Sequence, residues 1–273
     1  MKYTIQSVKY IFKNFWYILP FVLIPAVFFA LSTDRVAIYC VMETLFKGET
    51  SSFHFSHLFR AISFLNFASW QSVVFGLLAI VLTVVSVAML LALLDKHMRI
   101  GKRTYVGLLS KLNDNLISTA GYALLLLFLY EVWALITAAL IDLFSILPSV
   151  TLAYVFMGTV FILMHLLLVY LIGAIYLWLP CMQITGFRAM EALQYSHQLV
   201  SGVKWGILIE QAFSLFFVEA LMCICVYFAP SEWVFVIICT LLYAMLIMIY
   251  CVRMNVAYLD RDNIQRADLT KYY

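Results

Sequence analysis

Three ionisable residues lie within long apolar stretches of the sequence: Glu131, His165 and Glu219. Each is about 13–15 residues from the start of its stretch, which at about 1.5 Å per helical residue places it near the middle of a bilayer. Ionisable groups are costly there and usually carry function, and glutamate–histidine contacts relieve part of the cost. Two interpretations stay open. The three residues form a proton or cation site, or they form a neutral hydrogen-bonded cluster that fixes helix packing.

Other polar side chains suggest weaker hypotheses. Glu210 and Arg253 lie at a similar depth in the fifth and sixth apolar stretches, and we predict a structural ion pair between them. His54 and His57 are spaced i, i+3, which on a helix directs two imidazoles toward one point. Two histidines without a fixed third ligand are weak evidence for a metal site. We therefore expect no metal ion and no cofactor.

The sequence lacks the common catalytic and nucleotide-binding motifs. It contains no P-loop, no H-E-x-x-H, no G-x-S-x-G and no glycine-rich dinucleotide turn. A lipid-modifying enzyme would need polar residues clustered at one membrane interface, and too few are present. We predict no catalytic residues and no enzyme activity.

The composition indicates the class of protein. Of the 273 residues, 66% are hydrophobic and 11% charged, and the mean hydropathy is +1.02. Soluble domains are nearer half apolar and a quarter charged, so this is the composition of an integral membrane protein. The net charge of +3 is too small, and too concentrated at the edges of the apolar stretches, to indicate a nucleic-acid partner.

Six apolar stretches are long enough to span a bilayer as helices. They are residues 15–32, 69–94, 116–141, 152–180, 205–229 and 233–259. The first is short, and its two prolines, Pro20 and Pro25, are expected to kink it. The predicted fold is an all-α bundle of six transmembrane helices with interfacial amphipathic helices.

Amphipathic segments flank the spans. Residues 187–208 indicate a short surface helix that Gly202 ends before the fifth span, and Trp16 and Trp205 are predicted interfacial anchors. Residues 33–68 predict two further amphipathic helices joined by a turn at 47–52. The polar tail, residues 260–273, is expected to fray.

The basic residues predict the orientation. Of the 17 lysines and arginines, all but Arg35, Lys47 and Arg60 lie on one side of the predicted spans. Loops rich in lysine and arginine stay in the cytoplasm, so both termini are predicted to be cytoplasmic. The bases near 96–103 also suit the headgroups of anionic lipids, although topology alone explains them equally well.

An internal repeat is suggested by one fixed offset of 189 residues. At this offset Trp16 corresponds to Trp205, Ile18 to Ile207, Leu19 to Leu208 and Phe28 to Phe217. In residues 105–127 an amphipathic stretch also leads into a span, but without the tryptophan. The six-span domain, residues 1–259, together with the tail, would then divide into parallel units 1–94, 95–180 and 181–273. The alternative is that helices entering a bilayer generally favour an interfacial tryptophan with aliphatic neighbours.

The third unit carries a family resemblance. Its segment EALQYSHQLV at 191–200, followed by WGIL at 205–208, resembles the element AL-x-x-S-x-x-L-x-x-G-x-x-W-x-I-L. That element is found in bacterial six-span membrane proteins, among them YciC-like proteins and the membrane domain fused to some glycerophosphodiester phosphodiesterases. The resemblance implies a fold and the bacterial plasma membrane as location. It implies no catalytic residue, because the spans leave no room for a phosphodiesterase domain.

Two functions from different classes are consistent with these features. The first is a non-enzymatic membrane module that assists transport or an envelope process, with a membrane-protein partner or as a homo-oligomer. It predicts apolar interfaces and no sealed polar cavity. The alternative is a small transporter or channel using Glu131, His165 and Glu219, which predicts a water-accessible path to Glu131 or Glu219.

Overall fold

The computed structural model describes residues 1–48 and 53–269, and every regular element in these residues is an α-helix. The elements are α1 (Lys2–Ser32), α2 (Arg35–Lys47), α3 (Phe55–Ile62), α4 (Trp70–Ile100), α5 (Leu108–Ser145), α6 (Val150–Ala174), α7 (Trp178–Thr185), α8 (Ala189–Ser201), α9 (Lys204–Phe228) and α10 (Glu232–Arg261).

Six spans form a ring. The helices α1, α4, α5, α9 and α10, and α6 together with α7, are long and apolar enough to cross a membrane, so the predicted all-α, six-span bundle is confirmed. Each span packs against the next one along the chain, and α10 returns to pack against α1. This closed order leaves space for an interior site between the spans.

The first span is longer than predicted, and its kink is elsewhere. Helix α1 begins at Lys2, and its non-helical backbone angles fall at Asn14 (φ −124°, ψ 22°), ahead of both Pro20 and Pro25. The Asn14 Nδ2 group donates to the carbonyl oxygen of Tyr10 at 2.9 Å. Such side-chain bonds compete with the helical ladder and bend it, which accounts for the position of the kink.

The same kink recurs one repeat length later. At the offset of 189 residues Asn14 corresponds to Val203, which separates α8 from α9 with similar backbone angles (φ −137°, ψ 16°). Ser7 and Ser196, which also correspond, are both 0% exposed. The middle unit differs, because α5 continues through residues 114–115 without a break. Of the corresponding stretches in the three units, only the one in the third unit therefore forms a separate helix, α8.

The predicted fourth span is broken near its end. Helix α6 ends at Ala174, and the chain resumes as α7 at Trp178. Just before the break, a Cβ atom on Gly173 would lie 2.6 Å from Cδ2 of Leu208. The close approach of α6 to α9 therefore depends on glycine at this position.

We call the end of the ring where α1 begins and α10 ends the basic end. Here residues 251–259 of α10 are each at most 3% exposed. The tail was expected to fray, but residues 262–269 pack against the bundle. The Ala267 N–H donates to the carbonyl oxygen of Met98 at 2.8 Å, and the Arg266–Asp268 ion pair (2.8 Å) is largely buried. Residues 270–273 of the predicted tail lie outside the described residues.

The tail is also held by α8. The Tyr195 hydroxyl donates to the carboxylate of Asp262. That hydrogen bond, with a smaller contribution from burial, raises the pKa of Tyr195 to about 12. The contact ties the interfacial helix to the end of α10.

The opposite end is covered by α2 and α3, and we call it the α2–α3 end. Both helices were predicted, and α3 packs on α5 while α2 packs on α9. Asp34 caps α2 by accepting from the Ala37 N–H at 3.0 Å, and it also pairs with Arg60 of α3 at 2.6 Å. The predicted turn at 47–52 lies mostly outside the described residues.

Candidate functional site in the membrane-spanning ring

The site begins with a contact between α6 and α9. His165 Nε2 lies 2.9 Å from Oε2 and 3.2 Å from Oε1 of Glu219. His165 Nδ1 lies 2.8 Å from the carbonyl oxygen of Phe161, one turn earlier on α6. A carbonyl oxygen only accepts, so Nδ1 must carry a proton, and Nε2 faces the carboxyl group.

The pair therefore shares one proton. Either the imidazolium donates from Nε2 to the Glu219 carboxylate, or the protonated Glu219 donates to the neutral imidazole. Both forms are neutral overall, so neither leaves a net charge between the helices, and this lowers the cost of burying the two groups. A proton can thus move between Glu219 and His165 without changing the charge of the site.

Aromatic rings fix the imidazole. The ring of His165 lies 4.0 Å from that of Phe161, 4.7 Å from Trp133 and 4.9 Å from Phe216, measured between centroids. The indole of Trp133 donates to the carbonyl oxygen of Met164 at 2.7 Å, which holds this wall in place. His165 is 0% exposed, whereas 27% of the Glu219 side chain is exposed. Of the two groups, Glu219 is the one that a ligand can reach.

Glu131 has a different role. Its Oε1 accepts from the main-chain N–H groups of Phe64 (2.9 Å) and Leu65 (3.1 Å), and its Oε2 from the Ser63 hydroxyl (2.7 Å). The neighbouring Tyr130 hydroxyl donates to the carbonyl oxygen of Ile62 at 2.9 Å. The carboxylate thereby satisfies donors of a non-helical segment packed among the spans, where unpaired main-chain groups are costly.

The predicted Glu210–Arg253 ion pair takes another form. Glu210 accepts from the N–H groups of Tyr3 and Thr4, each at 3.1 Å, and also contacts the amino group of Met1 at 3.1 Å. These donors stand at the first turn of α1, whose dipole favours a carboxylate. Arg253 instead reaches the carbonyl oxygen of Glu210 at 2.8 Å. The two residues are adjacent as predicted, but the contact is not between their charges.

Arg253 is held by neutral groups. Besides the Glu210 carbonyl, it donates to Ser214 Oγ at 2.9 Å and to the Tyr176 hydroxyl at 3.1 Å, and it is 3% exposed. Arg253 thus links α10 to α9 and to the turn after α6. Its role in the structure is to join three parts of the ring.

These contacts distinguish Glu219 from the other two deep carboxylates. Glu131 and Glu210 each accept from two consecutive main-chain N–H groups, which is a structural task. The structure brings His165 and Glu219 together and leaves Glu131 in its own contact with residues 63–65. The predicted three-residue cluster is therefore two separate arrangements.

Glu219 faces a cavity that the sequence did not reveal. The cavity has a volume of about 380 Å³ and is lined by five of the six spans and by α2 and α3. Most of its lining is apolar, with Met157, Phe161 and Met222 near Glu219. Ligand-binding cavities commonly have volumes of about 300–1,000 Å³ and a few polar groups in a mainly apolar wall. The size and lining are those of a site for a largely apolar molecule.

The other charged groups of the cavity wall lie toward the α2–α3 end. Among the described residues they are Asp34 and Arg60, which also form a hydrogen bond from Nε of Arg60 to Oδ2 of Asp34 at 2.8 Å. Each thus neutralises the other. No signal in the sequence linked these two residues, because they are 26 positions apart and outside the spans.

The remaining predicted positions are on surfaces. Trp16 is 81% and Trp205 77% exposed, so both indoles are free to contact lipid. The rings of His54 and His57 lie 6.3 Å apart. Within residues 1–48 and 53–269, no group of three or more histidine, cysteine, aspartate or glutamate side chains is placed to hold a metal ion.

In residues 1–48 and 53–269, the fold and site define an all-α protein with six helices able to span a membrane and a carboxyl–imidazole pair beside an interior cavity. In comparisons with known proteins, no family model, no curated protein sequence and no solved structure matches the chain. The function must therefore be argued from the site.

Proposed function

We propose that the protein is a non-enzymatic membrane module that holds an amphiphilic molecule in its interior cavity and thereby assists a transport or envelope process. The observation that supports this proposal most directly is the mainly apolar cavity of about 380 Å³ with the Glu219 carboxyl group in its wall. Side chains around an empty cavity lose their van der Waals contacts, and a hydrocarbon chain restores them. Hydrocarbon is also the most abundant material in the surroundings of a membrane protein.

The polar part of the ligand follows from the pairing of the charged groups. Asp34 and Arg60 neutralise each other, whereas Glu219 shares one proton with His165 and has an exposed edge. A carboxylate accepts hydrogen bonds, so it favours a donor such as an ammonium or hydroxyl group. An ammonium group would hold the shared proton on His165 and add a charge-assisted hydrogen bond to Glu219. We therefore favour an amphiphile with an amine.

We further propose that the protein resides in a bacterial plasma membrane with both termini in the cytoplasm. The distribution of basic residues supports this orientation, since only Arg35, Lys47 and Arg60 lie on the other side. The cavity would then belong to the outer half of the bilayer. A reporter enzyme that is active only outside the cytoplasm, fused after Tyr273, tests the orientation. Strong activity of this fusion contradicts it.

Two glycines provide a matched test of the cavity. Gly158 lines the cavity and Gly121 does not, and a Cβ atom on either meets no atom within 4 Å. Each Gly→Leu substitution therefore adds the same side chain at a position where its Cβ atom meets no neighbour. Binding of dodecylamine to the purified protein in lipid nanodiscs is measured by its effect on thermal unfolding. We expect Gly158→Leu to abolish the stabilisation and Gly121→Leu to preserve it.

A chemical control accompanies these variants. Dodecyl sulfate has the same chain length as dodecylamine but an anionic group, and we expect it to give no stabilisation at matched concentrations below micelle formation. Equal effects of both compounds, or an unchanged response in Gly158→Leu, contradict the proposal.

A second candidate is a small transporter, favoured by the shared proton of His165 and Glu219. Because the proton can move within the pair, a cationic ligand that enters the cavity can displace it from Glu219. The test is proton flux in proteoliposomes with a pH-sensitive dye, comparing the wild type with Glu219→Gln. Flux that is lost in a folded Glu219→Gln variant supports transport. A wild type without flux, with and without dodecylamine, contradicts it.

A further inference from the structure

A second cavity lies at the basic end, away from Glu219. It has a volume of about 330 Å³ and is enclosed by the end of α4, the non-helical residues 101–107, the start of α5, α7 and α10. Its wall is more polar than that of the interior cavity and includes the amides of Asn115, Gln183 and Asn255. The cavity therefore suits a polar ligand.

The charges around this cavity are mainly positive. Lys96, Arg99 and Lys111 line it, with Asp95 as the acidic group of the lining. Asp95 is already paired with Arg99, whose Nε lies 2.6 Å from Oδ1 and whose Nη2 lies 2.7 Å from Oδ2. This leaves the ammonium groups of Lys96 and Lys111 for an incoming anion. Lys111 is only weakly paired, with its Nζ 3.9 Å from Asp114.

Lys96 is held in position at the edge of the cavity. Its Nζ donates to the carbonyl oxygen of Val106 at 2.9 Å, and an ammonium group has two further protons to donate. The bond fixes the charge beside Gly107 and Leu108, where α5 begins. A positioned charge loses less side-chain entropy on binding than a free one.

The start of α5 adds the positive end of a helix dipole. Gly107, the residue before the helix, has a backbone φ of +79° and no side chain to cap the first turn. The Leu108 N–H already donates to the carbonyl oxygen of Tyr105 at 3.3 Å, so the helix start favours an anion through the positive end of its dipole. Gly107 and Leu108 are part of the lining, so this helix start is at the cavity.

An unpaired buried donor supports the same conclusion independently. Asn255 is 1% exposed and lines the cavity, and its Nδ2 has no hydrogen-bond partner in the part of the chain that the structure describes. A buried amide without a partner is destabilising, so most such groups in proteins are paired. A ligand oxygen is an acceptor that would satisfy it. The unpaired donor therefore indicates an acceptor-rich ligand.

We propose that this cavity binds a phosphate group, held by Lys96, Lys111, the start of α5 and the amide of Asn255. Phosphate supplies negative charge and several acceptor oxygens, which match two ammonium groups and a buried amide. The phosphate belongs either to the headgroup of an anionic lipid or to a small soluble ester. The site is separate from Glu219 and its occupancy does not depend on the interior cavity.

The experiment tests both sources of the phosphate group with the whole chain. The first arm uses native mass spectrometry of protein exchanged with phosphatidylglycerol or phosphatidylcholine. The second uses isothermal titration with glycerol 1-phosphate in detergent. The variants are Lys96→Gln, Lys111→Gln and Asn255→Leu, and the matched control is Lys102→Gln, which removes the same charge from the adjoining segment but does not line the cavity.

We expect each lysine variant to weaken binding about fivefold and Lys102→Gln to change it less than twofold, because a nearby basic residue contributes about 1 kcal/mol to binding an anionic headgroup. Preference for phosphatidylglycerol over phosphatidylcholine identifies a lipid headgroup, and binding of glycerol 1-phosphate identifies a soluble ester. Either kind of binding supports the site if Lys111→Gln weakens it. The proposal is overturned if neither kind of binding is observed, or if Lys102→Gln weakens binding as much as the two variants of the lining lysines do. Asn255→Leu separates a specific site from general attraction, because it leaves the charge unchanged and is also expected to weaken binding.

Discussion

Replacing Glu131 by alanine tests whether this deep carboxylate is structural. The substitution removes the acceptor of the Phe64 N–H group. The Leu65 N–H keeps Ser63 Oγ as an acceptor at 3.1 Å, and the Ser63 hydroxyl keeps the carbonyl oxygen of Leu65 at 2.9 Å. One buried donor left without a partner costs about 1–3 kcal/mol. Residues 63–65 are half-buried and water can reach them in part. We therefore expect a loss of about 1–2 kcal/mol.

Two measurements report this loss. Unfolding of the purified protein in mixed micelles of increasing dodecyl sulfate content gives the change in stability. Hydrogen exchange at Phe64 and Leu65 reports the local opening of the segment, and a loss of about 1–2 kcal/mol accelerates exchange by about fivefold to 30-fold. Glu131→Gln keeps one acceptor oxygen, so we expect about half the effect. Asp142→Asn, about three turns later on α5, is the control and should change little.

One pattern of results would refute the structural role. If Glu131→Ala unfolds like the wild type and the exchange at 63–65 is unchanged, the hydrogen bonds to this segment do not stabilise it. Loss of a ligand-dependent or transport activity in that stable variant would then return Glu131 to the functional site, as the three-residue hypothesis requires.

Three other perturbations have expected outcomes. Arg253→Met removes the guanidinium that donates to the Tyr176 hydroxyl, Ser214 Oγ and the Glu210 carbonyl, although that carbonyl keeps the Ser214 hydroxyl as a donor at 2.8 Å. We expect a loss of about 2–4 kcal/mol in mixed-micelle unfolding, and a loss of less than about 1 kcal/mol for Ser214→Ala; equal effects contradict the central role of Arg253. Gly173→Ala places a Cβ atom 2.6 Å from Leu208 Cδ2 and should lower the free energy of unfolding by about 1 kcal/mol. Adding Leu208→Val, which shortens the opposing side chain, should restore the stability. A loss of stability that Leu208→Val does not reduce argues against this contact. Trp16→Ala and Trp205→Ala should alter stability in detergent by less than about 0.5 kcal/mol, because both indoles are exposed. In variants that keep only one of the two tryptophans, quenching should be strongest with lipids brominated near the headgroup, and strongest quenching from the chain ends contradicts the anchor role.

The sequence was sufficient for features that depend on local composition. Apolar stretches of the required length predicted the six spans, and 3.6-residue periodicity predicted α2, α3 and α8. The kink at Asn14 also had a local signal, because an asparagine inside a helix can bond to the preceding turn. The prolines did not point to this kink, since the backbone angles of α1 stay helical at both of them.

The deep polar residues show what the sequence could not provide. Position along a helix gives depth in the membrane, so Glu131, His165 and Glu219 were correctly expected within spans. The neighbours of each side chain depend on the rotation of the helix about its axis and on long-range packing. The partner segment of Glu131 is 66–68 residues earlier in the chain and has no charged group to indicate it. Glu210 similarly finds main-chain donors of α1 that are more than 200 positions away.

Neither functional hypothesis predicted the interior cavity that the structure shows. The module hypothesis expected no sealed polar cavity, and the transporter hypothesis expected a water-accessible path. The interior cavity is mainly apolar and yet reaches Glu219. Such a space arises from the ring arrangement of the spans and the two helices that cover one end, and neither feature has a local signature. The same holds for the second cavity, whose wall combines residues from α4, α5, α7 and α10.

The most direct test of the proposed function is a crystal structure with an alkylamine that carries bromine at the far end of its chain. We expect the amine within hydrogen-bonding distance of the Glu219 carboxyl group and an anomalous bromine signal farther along the same cavity, among its apolar side chains. A bromine signal only on the outer, lipid-facing surface of the helices would contradict it. So would an amphiphile in the cavity whose amine lies beside Asp34 and away from Glu219.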